Sequence, residues 1–249
     1  MTQMIISGIL SAALAFAAYQ FRMLTLSGAI ASFFVGYIVG IFGTIEWLIL
    51  LVAFTFAGLI ATKMDMNDKA ECGLQEGNFG ERSHKNVLGV GIPACIFAIL
   101  YGTSDTILTP LLGALPIQYN FALTVAFITT LTVAAADTVA SEIGIRDKRV
   151  WLITTFERVK RGTNGGVSVL GTASSAAAAV FTGVVGWLLI FKGLDILVVV
   201  PIVFGIMGNL LDSVLGATLE RKGKITKYAN NCLSALSGAV LGFAVILLL

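Results

Sequence analysis

The feature that most constrains this chain is a series of apolar blocks. Each has about the 20 residues that a helix needs to cross the hydrocarbon core of a bilayer. They run over 3–21, 24–43, 46–62, 87–102, 119–143, 165–190, 194–218 and 229–249. Polar and apolar residues do not alternate within them, as they would in the strands of a membrane barrel. In lipid every backbone N–H and C=O must be satisfied internally, and a helix does this within one segment. The sequence therefore predicts an all-α fold, a polytopic membrane helix bundle of about eight transmembrane helices, in a single domain spanning 1–249. Only 12% of the residues are charged, against roughly 25% in a soluble domain, so a soluble fold would leave too much apolar surface uncovered. The stretch 103–118 is apolar but short and is interrupted by Pro110 and Pro116, which predicts a loop or re-entrant segment there. Nothing charged precedes Arg22, so the first block lacks the basic leader of a secretory signal and reads as a membrane helix.

The basic residues test this count. With eight spans, Arg22, Lys63, Lys69, Arg82, Lys85, Arg146, Lys148, Arg149, Arg158, Lys160, Arg161, Arg221, Lys222, Lys224 and Lys227 all fall on one side, and only Lys192 falls on the other. Excess Lys and Arg mark the cytoplasmic side. The expectation is a protein integral to the cell membrane, both termini outside, with cytoplasmic loops at about 63–86, 144–164 and 219–228. The first loop also carries Asp65, Asp68, Glu71, Glu76 and Glu81, which read mostly as a solvated surface. A net charge of +2 gives no reason to expect nucleic acid as a partner. Cys72, Cys95 and Cys232 are widely spaced and odd in number, so they suggest neither a disulfide framework nor a zinc site.

Three acids lie inside apolar segments: Asp137, Glu142 and Asp212. A carboxylate at mid-helix costs roughly 2.5–3.5 kcal/mol on insertion scales, which makes such residues functional candidates. Asp137 lies nine residues before Arg146, and Asp212 nine before Arg221. That is about 13 Å inward from the basic loops, the depth of a cavity floor. The two also share local sequence: ADTVASEIG contains Asp137, and LDSVLGATLE contains Asp212. The following segments, TNGGVSVLG and ANNCLSALSG, rhyme as well. The pattern fits a parallel internal repeat of spans 5–6 and 7–8, which would bring the acids together. Paired carboxylates near small hydroxyls suit Mg²⁺; the plainer alternative is that the acids bond neighbouring helices, and Glu142 is close enough to the surface to be a helix-end acid.

A glycine-rich junction follows the second basic loop. Arg158, Lys160 and Arg161 lead into Gly162, Thr163, Asn164, Gly165, Gly166 and, one residue on, Ser168. Glycines allow close backbone approach, and a helix N-terminus offers N–H groups to an anion, so this is a candidate phosphate cradle. It is not a P-loop, because no GK[ST] follows. The bland alternative is a loop-to-helix junction with Thr163 or Asn164 as N-cap. Arg82 and Lys85 form a second basic cluster around His84, the only histidine. Asn209, Asn230 and Asn231 could join helices or line the site.

The segments ADTVASEIG, RGTNGGVSVLG and NLLDSVLGATLE, with GERSHKNVLGVG upstream, resemble the transmembrane protein 19-like family. That family includes the plant phytyl-phosphate kinase of the vitamin E pathway and is distantly related to the CTP-dependent phytol and dolichol kinases. The resemblance covers roughly 25–245. It implies phosphoryl transfer from a nucleotide, by the same resemblance CTP, to an isoprenoid monophosphate such as phytyl or geranylgeranyl phosphate, giving the diphosphate. On that reading Asp137, Asp212 and Glu142 hold Mg²⁺. The 158–168 segment takes the nucleotide phosphates, and Arg82 and Lys85 take the acceptor phosphate. The prenyl tail enters from the lipid bilayer, and the site faces the cytoplasm. The competing class is a cation- or phosphate-coupled transporter, which intramembrane acids would also suit. A carrier needs polar groups leading to both faces, and the outer side offers little beyond Glu46, Asp105, Lys192 and Asp195.

Overall fold

The computed structural model describes residues 2–64, 80–112 and 118–249. Asp65, Asp68, Lys69, Glu71, Cys72, Glu76 and Pro116 lie outside the described residues. Eight long helices occur among those described: α1 (Thr2–Gln20), α2 (Leu26–Phe42), α3 (Ile45–Met64), α4 (His84–Thr103), α5 (Tyr119–Gly144), α6 (Val169–Phe191), α7 (Val199–Leu215) and α8 (Lys227–Leu248). Six are long and apolar enough to cross a membrane; Leu26–Phe42 and Ile45–Gly58 are shorter apolar helices.

Helix α5 is the axis of the bundle. Every residue from Ala122 to Ala136 is buried, and α5 packs on α3, α4, α6, α7 and α8. Four of its buried threonines pair their hydroxyls within the helix. Thr124, Thr129, Thr130 and Thr132 each donate to the carbonyl four residues earlier, at 2.7–3.0 Å. The helix thus carries small polar side chains in its interior without a desolvation penalty. At one end Trp47 of α3 is fully buried. It stacks on Phe127 of α5 at 4.2 Å and leans on Tyr101 of α4 at 5.0 Å. Trp47→Ala is expected to cost about 3–5 kcal/mol, measurable as a lowered unfolding midpoint in detergent.

Successive helices alternate in direction, and the contacts fix which ends meet. Gly28 approaches Arg82 and Ser83, Gly91 meets Val35, and Gly102 meets Phe42, so α2 and α4 run parallel. Gly144 packs on Gly171, and Trp187 lies against Phe121. The described basic residues other than Lys192 thereby gather at one end of the bundle. Lys192 sits at the other end, 3.8 Å from Glu46. All four helices that start at the basic end begin on a hydroxyl residue: Thr25, Ser83, Ser168 and Thr226. Ser168 Oγ accepts from the Gly171 N–H at 3.1 Å. Its loss in Ser168→Ala is expected to cost about 1 kcal/mol, read by the same unfolding measurement.

Three expectations need correction. Helix α4 does not stop before 103: it continues through a π-helical turn, Ser104–Leu108, and on to Leu112. The wider turn lets the helix continue up to Pro110 and beyond. Residues 113–117 lie outside the described part. The fold is also not purely helical. The 144–164 connection holds a three-stranded antiparallel sheet, β1 (Val150–Leu152), β2 (Arg158–Val159) and β3 (Gly166–Val167), in the order β2-β1-β3. Span six therefore starts at Val169, and its N-cap is Ser168 rather than Thr163 or Asn164. The two rhyming halves differ here, since α7 ends in a π-helical turn, Gly216–Glu220, with no sheet after it.

Candidate active site at the basic end of the bundle

The glycine segment is built by β3 and its approach. Thr163 N–H donates to Lys160 O, and Gly166 N–H to Thr163 O, at 3.2 and 2.8 Å. Gly162 and Gly165 take φ of 76° and 75°, the left-handed region that favours glycine. Gly165 lies directly on the start of the π-helical turn. A Cβ there would collide with the backbone N and Cβ of Ala217, and a Cβ on Gly216 would come 3.0 Å from Gly165 N. The two motifs that stood out in the sequence, GTNGG and LGAT, thus interlock backbone against backbone.

Between them, α5 and α8 lies a polar cavity of about 240 Å³. Asp137 and Asp212 both line it, from α5 and α7. Gly162, Thr163, Asn164, Gly165, Gly166 and Ser168 form the facing wall. Asp212 is held on both oxygens. Ser234 Oγ donates to Oδ2 at 2.8 Å, and Asn230 Nδ2 donates to Oδ1 at 3.2 Å. The Asn230 amide also reaches Glu220 Oε2 at 3.2 Å, and Asn164 Nδ2 donates to Glu220 Oε1 at 2.8 Å. Glu220 therefore ties the glycine turn to the asparagine that holds Asp212. Asn209 lines the cavity and donates to Ser175 Oγ at 2.6 Å; Asn231 lines it too.

The sequence-based assignments separate at this point. Glu142 does not line the cavity. It is 3% exposed, and its Oε1 lies 3.7 Å from the Arg82 guanidinium. Arg82 is thus engaged with an α5 acid, and Lys85 is exposed at the start of α4. Arg158 on β2 and Lys160 just after it are exposed, Arg161 donates to Ile145 O at 3.4 Å, and none of the three lines the cavity. The basic side chain that does is Lys227, the first residue of α8. Glu220 and Lys227 were both missed by sequence reasoning. The signal for each was present: Glu220 closes the LGATLE motif, and Lys227 follows the cap Thr226.

The donor set suits a hard cation. Asp137 lies within electrostatic reach of Lys227, Arg82, Glu220 and Glu142, and Asp212 within reach of Asp137, Glu220 and Lys227. The cavity itself is lined by three carboxyl groups, Asp137, Asp212 and Glu220, and one base, Lys227. Beside them Asn230 Oδ1 is buried without a hydrogen-bond donor among the described residues. No group of three or more His, Cys, Asp or Glu side chains converges closely enough to hold an ion alone among the described residues. Mg²⁺ does not need one, because it takes one or two carboxylates and completes its shell with water and substrate phosphates.

Residues 9–245 match the family described as Integral membrane protein DUF92. The chain belongs to this family. It is 34% identical over 222 residues to an uncharacterized membrane protein, MJ0933, of Methanocaldococcus jannaschii, covering 89% of this chain and 85% of that protein. It is 32% identical to Protein PGR of Arabidopsis thaliana, covering 89% and 80%. It is 29% identical to Protein VTE6, chloroplastic, of the same plant, covering 91% of this chain and 65% of VTE6. No solved structure matches the chain. This family member is an integral membrane protein whose conspicuous motifs meet in one cavity at the basic end of its bundle.

Proposed function

We propose that this protein is a membrane-embedded prenyl-phosphate kinase. It would transfer a phosphoryl group from a nucleotide, CTP by the resemblance, to an isoprenoid monophosphate such as phytyl or geranylgeranyl phosphate. The observation that carries this reading is that Asp137, Asp212 and the glycine turn 162–166 line one cavity. The match to VTE6 supports it, as does the sequence resemblance to a family that includes a phytyl-phosphate kinase. An eight-span topology with both ends outside and the basic end cytoplasmic, the orientation the positive-inside rule favours, would put the cavity where nucleotides are.

Phosphoryl transfer demands positioning and charge neutralisation more than covalent chemistry. Asp137 and Asp212 would hold Mg²⁺, with Glu220 in the place the sequence gave to Glu142. When bound, the ion would neutralise charge on the donor phosphates. The backbone N–H groups of Asn164 and Gly165, next to the Gly166 N–H that the turn itself uses, would take phosphate oxygens. Lys227 would add a point charge on the same side. Ser234 and Asn230 keep the Asp212 carboxylate in one orientation. A monophosphate acceptor is already anionic, so no general base is needed.

Equilibrium binding of each labelled NTP, with and without Mg²⁺, tests the cavity directly. Saturable binding that requires Mg²⁺ and is lost in Lys227→Ala by about tenfold or more is expected, since a charge-assisted phosphate contact contributes roughly 1.5–3 kcal/mol. Binding of no nucleotide by folded protein would remove the donor from this reading. Counterflow of phosphate or a cation in liposomes would instead support a carrier.

A further inference from the structure

The Asp137–Asp212 cavity reaches the side of the bundle. Two of its lining residues, Thr172 on α6 and Leu210 on α7, are exposed. Leu210 belongs to a stripe of exposed apolar side chains on α7, Val203, Met207, Leu210 and Val214, spaced as one helical face. Val169 and Val180 extend this apolar surface on α6. On a membrane helix such a face meets lipid tails. Helix α5, which packs on both α6 and α7, lies behind the seam.

The seam is closed above and below this opening. Towards the far end of the bundle, a Cβ on Gly183 of α6 would come 2.7 Å from Ile202 of α7. Nearer the cavity, Asn209 Nδ2 donates to Ser175 Oγ at 2.6 Å. At the basic end the glycine turn closes the seam, where Gly165 lies on Ala217. Between Asn209 and Gly216 a window remains, about 10 Å tall along α7. Thr172 and Ser213 line the cavity from its two sides. Asp212 stands at the level of the window, two residues from Leu210. Gly171, beside Thr172, packs on Ala140, three residues from Asp137. The cavity has another, polar opening at the basic end, where its lining residues Gly162 and Asn164 are exposed.

We propose that the α6–α7 window is the entrance for the isoprenoid monophosphate, whose phosphate passes between Thr172 and Leu210 to the acids while its tail stays in lipid against α6 and α7. The nucleotide enters by the polar opening. The inference rests on the kinase reading for the identity of its ligand. Two openings of opposite character suit one substrate from water and one from the bilayer. A substrate with an anionic head and an apolar tail needs both environments within a few ångströms, and Asp212 and Leu210 supply them on one turn of α7.

The test uses the full chain in nanodiscs and a geranylgeranyl monophosphate carrying a diazirine in its tail. Photolabelling is expected on residues 169–180 and 203–214, displaced by unlabelled geranylgeranyl monophosphate. Thr172→Trp and Leu210→Trp, which narrow the window at exposed positions, should lower this labelling and raise KM for the C20 acceptor at least tenfold, with KM for the nucleotide unchanged. Val203→Trp, on the same stripe but away from the cavity, should change neither. Labelling confined to other helices, labelling that unlabelled acceptor does not displace, or no labelling would overturn the proposal. So would unchanged labelling in both folded window variants. Displaceable labelling at the window without any diphosphate formation would keep the entrance and reject the kinase. Diphosphate formation with labelling elsewhere would do the reverse.

Discussion

Asp212→Asn is expected to lower the rate of phosphoryl transfer by about 10²–10³-fold, the usual loss when one preorganised electrostatic group is removed, while the protein still folds. Both halves follow from its contacts. The carboxylate is one of two acids from within the apolar segments that line the cavity with the glycine turn, so neutralising it removes one of the three carboxylates that would hold Mg²⁺. An asparagine fits the same space. Its oxygen can accept from Asn230 Nδ2, and its amide can donate to Ser234 Oγ, whose proton is then free for the Asn230 carbonyl at 2.6 Å. Asp137→Asn should show the same loss. Glu142→Gln should lose far less, because Glu142 faces Arg82 rather than the cavity. Single-turnover rates at saturating Mg²⁺, beside unfolding midpoints in detergent, separate the three variants. Full activity in both aspartate variants would end the metal assignment.

Gly165→Ala carries the second large effect, on stability and function together. The backbone there has φ of 75°, a conformation that costs an L-residue about 1–2 kcal/mol. The added methyl would also enter the backbone N and Cβ of Ala217, and overpacking of this kind costs about 1–3 kcal/mol more. The expected total is about 2–5 kcal/mol, with loss of nucleotide binding, because the turn must withdraw from α7 and open the cavity. Ala217→Gly should restore only part of the loss, since it removes the Cβ contact but leaves the backbone one. Unfolding midpoints for the single and double variants measure the coupling. A Gly165→Ala protein as stable as the parent would show that the turn does not rest on Ala217.

Much of this site was legible in the sequence, for identifiable reasons. Asp137 and Asp212 stood out because a carboxylate in an apolar block is costly and needs a purpose. Their depth, counted from Arg146 and Arg221, suggested the floor of a cavity, and both residues line one. The glycine turn stood out by composition. Its pairing with the 216–220 turn did not, because a contact 50 residues apart in sequence leaves no periodic trace. Glu142 misled for a related reason. It is buried in α5 rather than a surface helix-end acid, but it meets Arg82, and rotation about the helix axis cannot be read where every face from Ala122 to Ala136 is buried. The basic residues 158–161 misled because charge and proximity in sequence do not fix direction. The small sheet turns Arg158 and Lys160 outward and leaves Lys227, from another helix, beside the acids. The fold reading succeeded on the long apolar segments. It failed at 103–112, where proline is tolerated because a π-helical turn intervenes, and at 150–167, where strands of two or three residues are too short to show alternation.

The most direct test of the central claim is product formation. The purified protein is incubated with geranylgeranyl or phytyl monophosphate, Mg²⁺ and each NTP labelled at the γ-phosphate. The expected result is label in the prenyl diphosphate, greatest with CTP, absent without Mg²⁺ and reduced at least 100-fold in Asp212→Asn. Folded protein that forms no diphosphate with any nucleotide would contradict it.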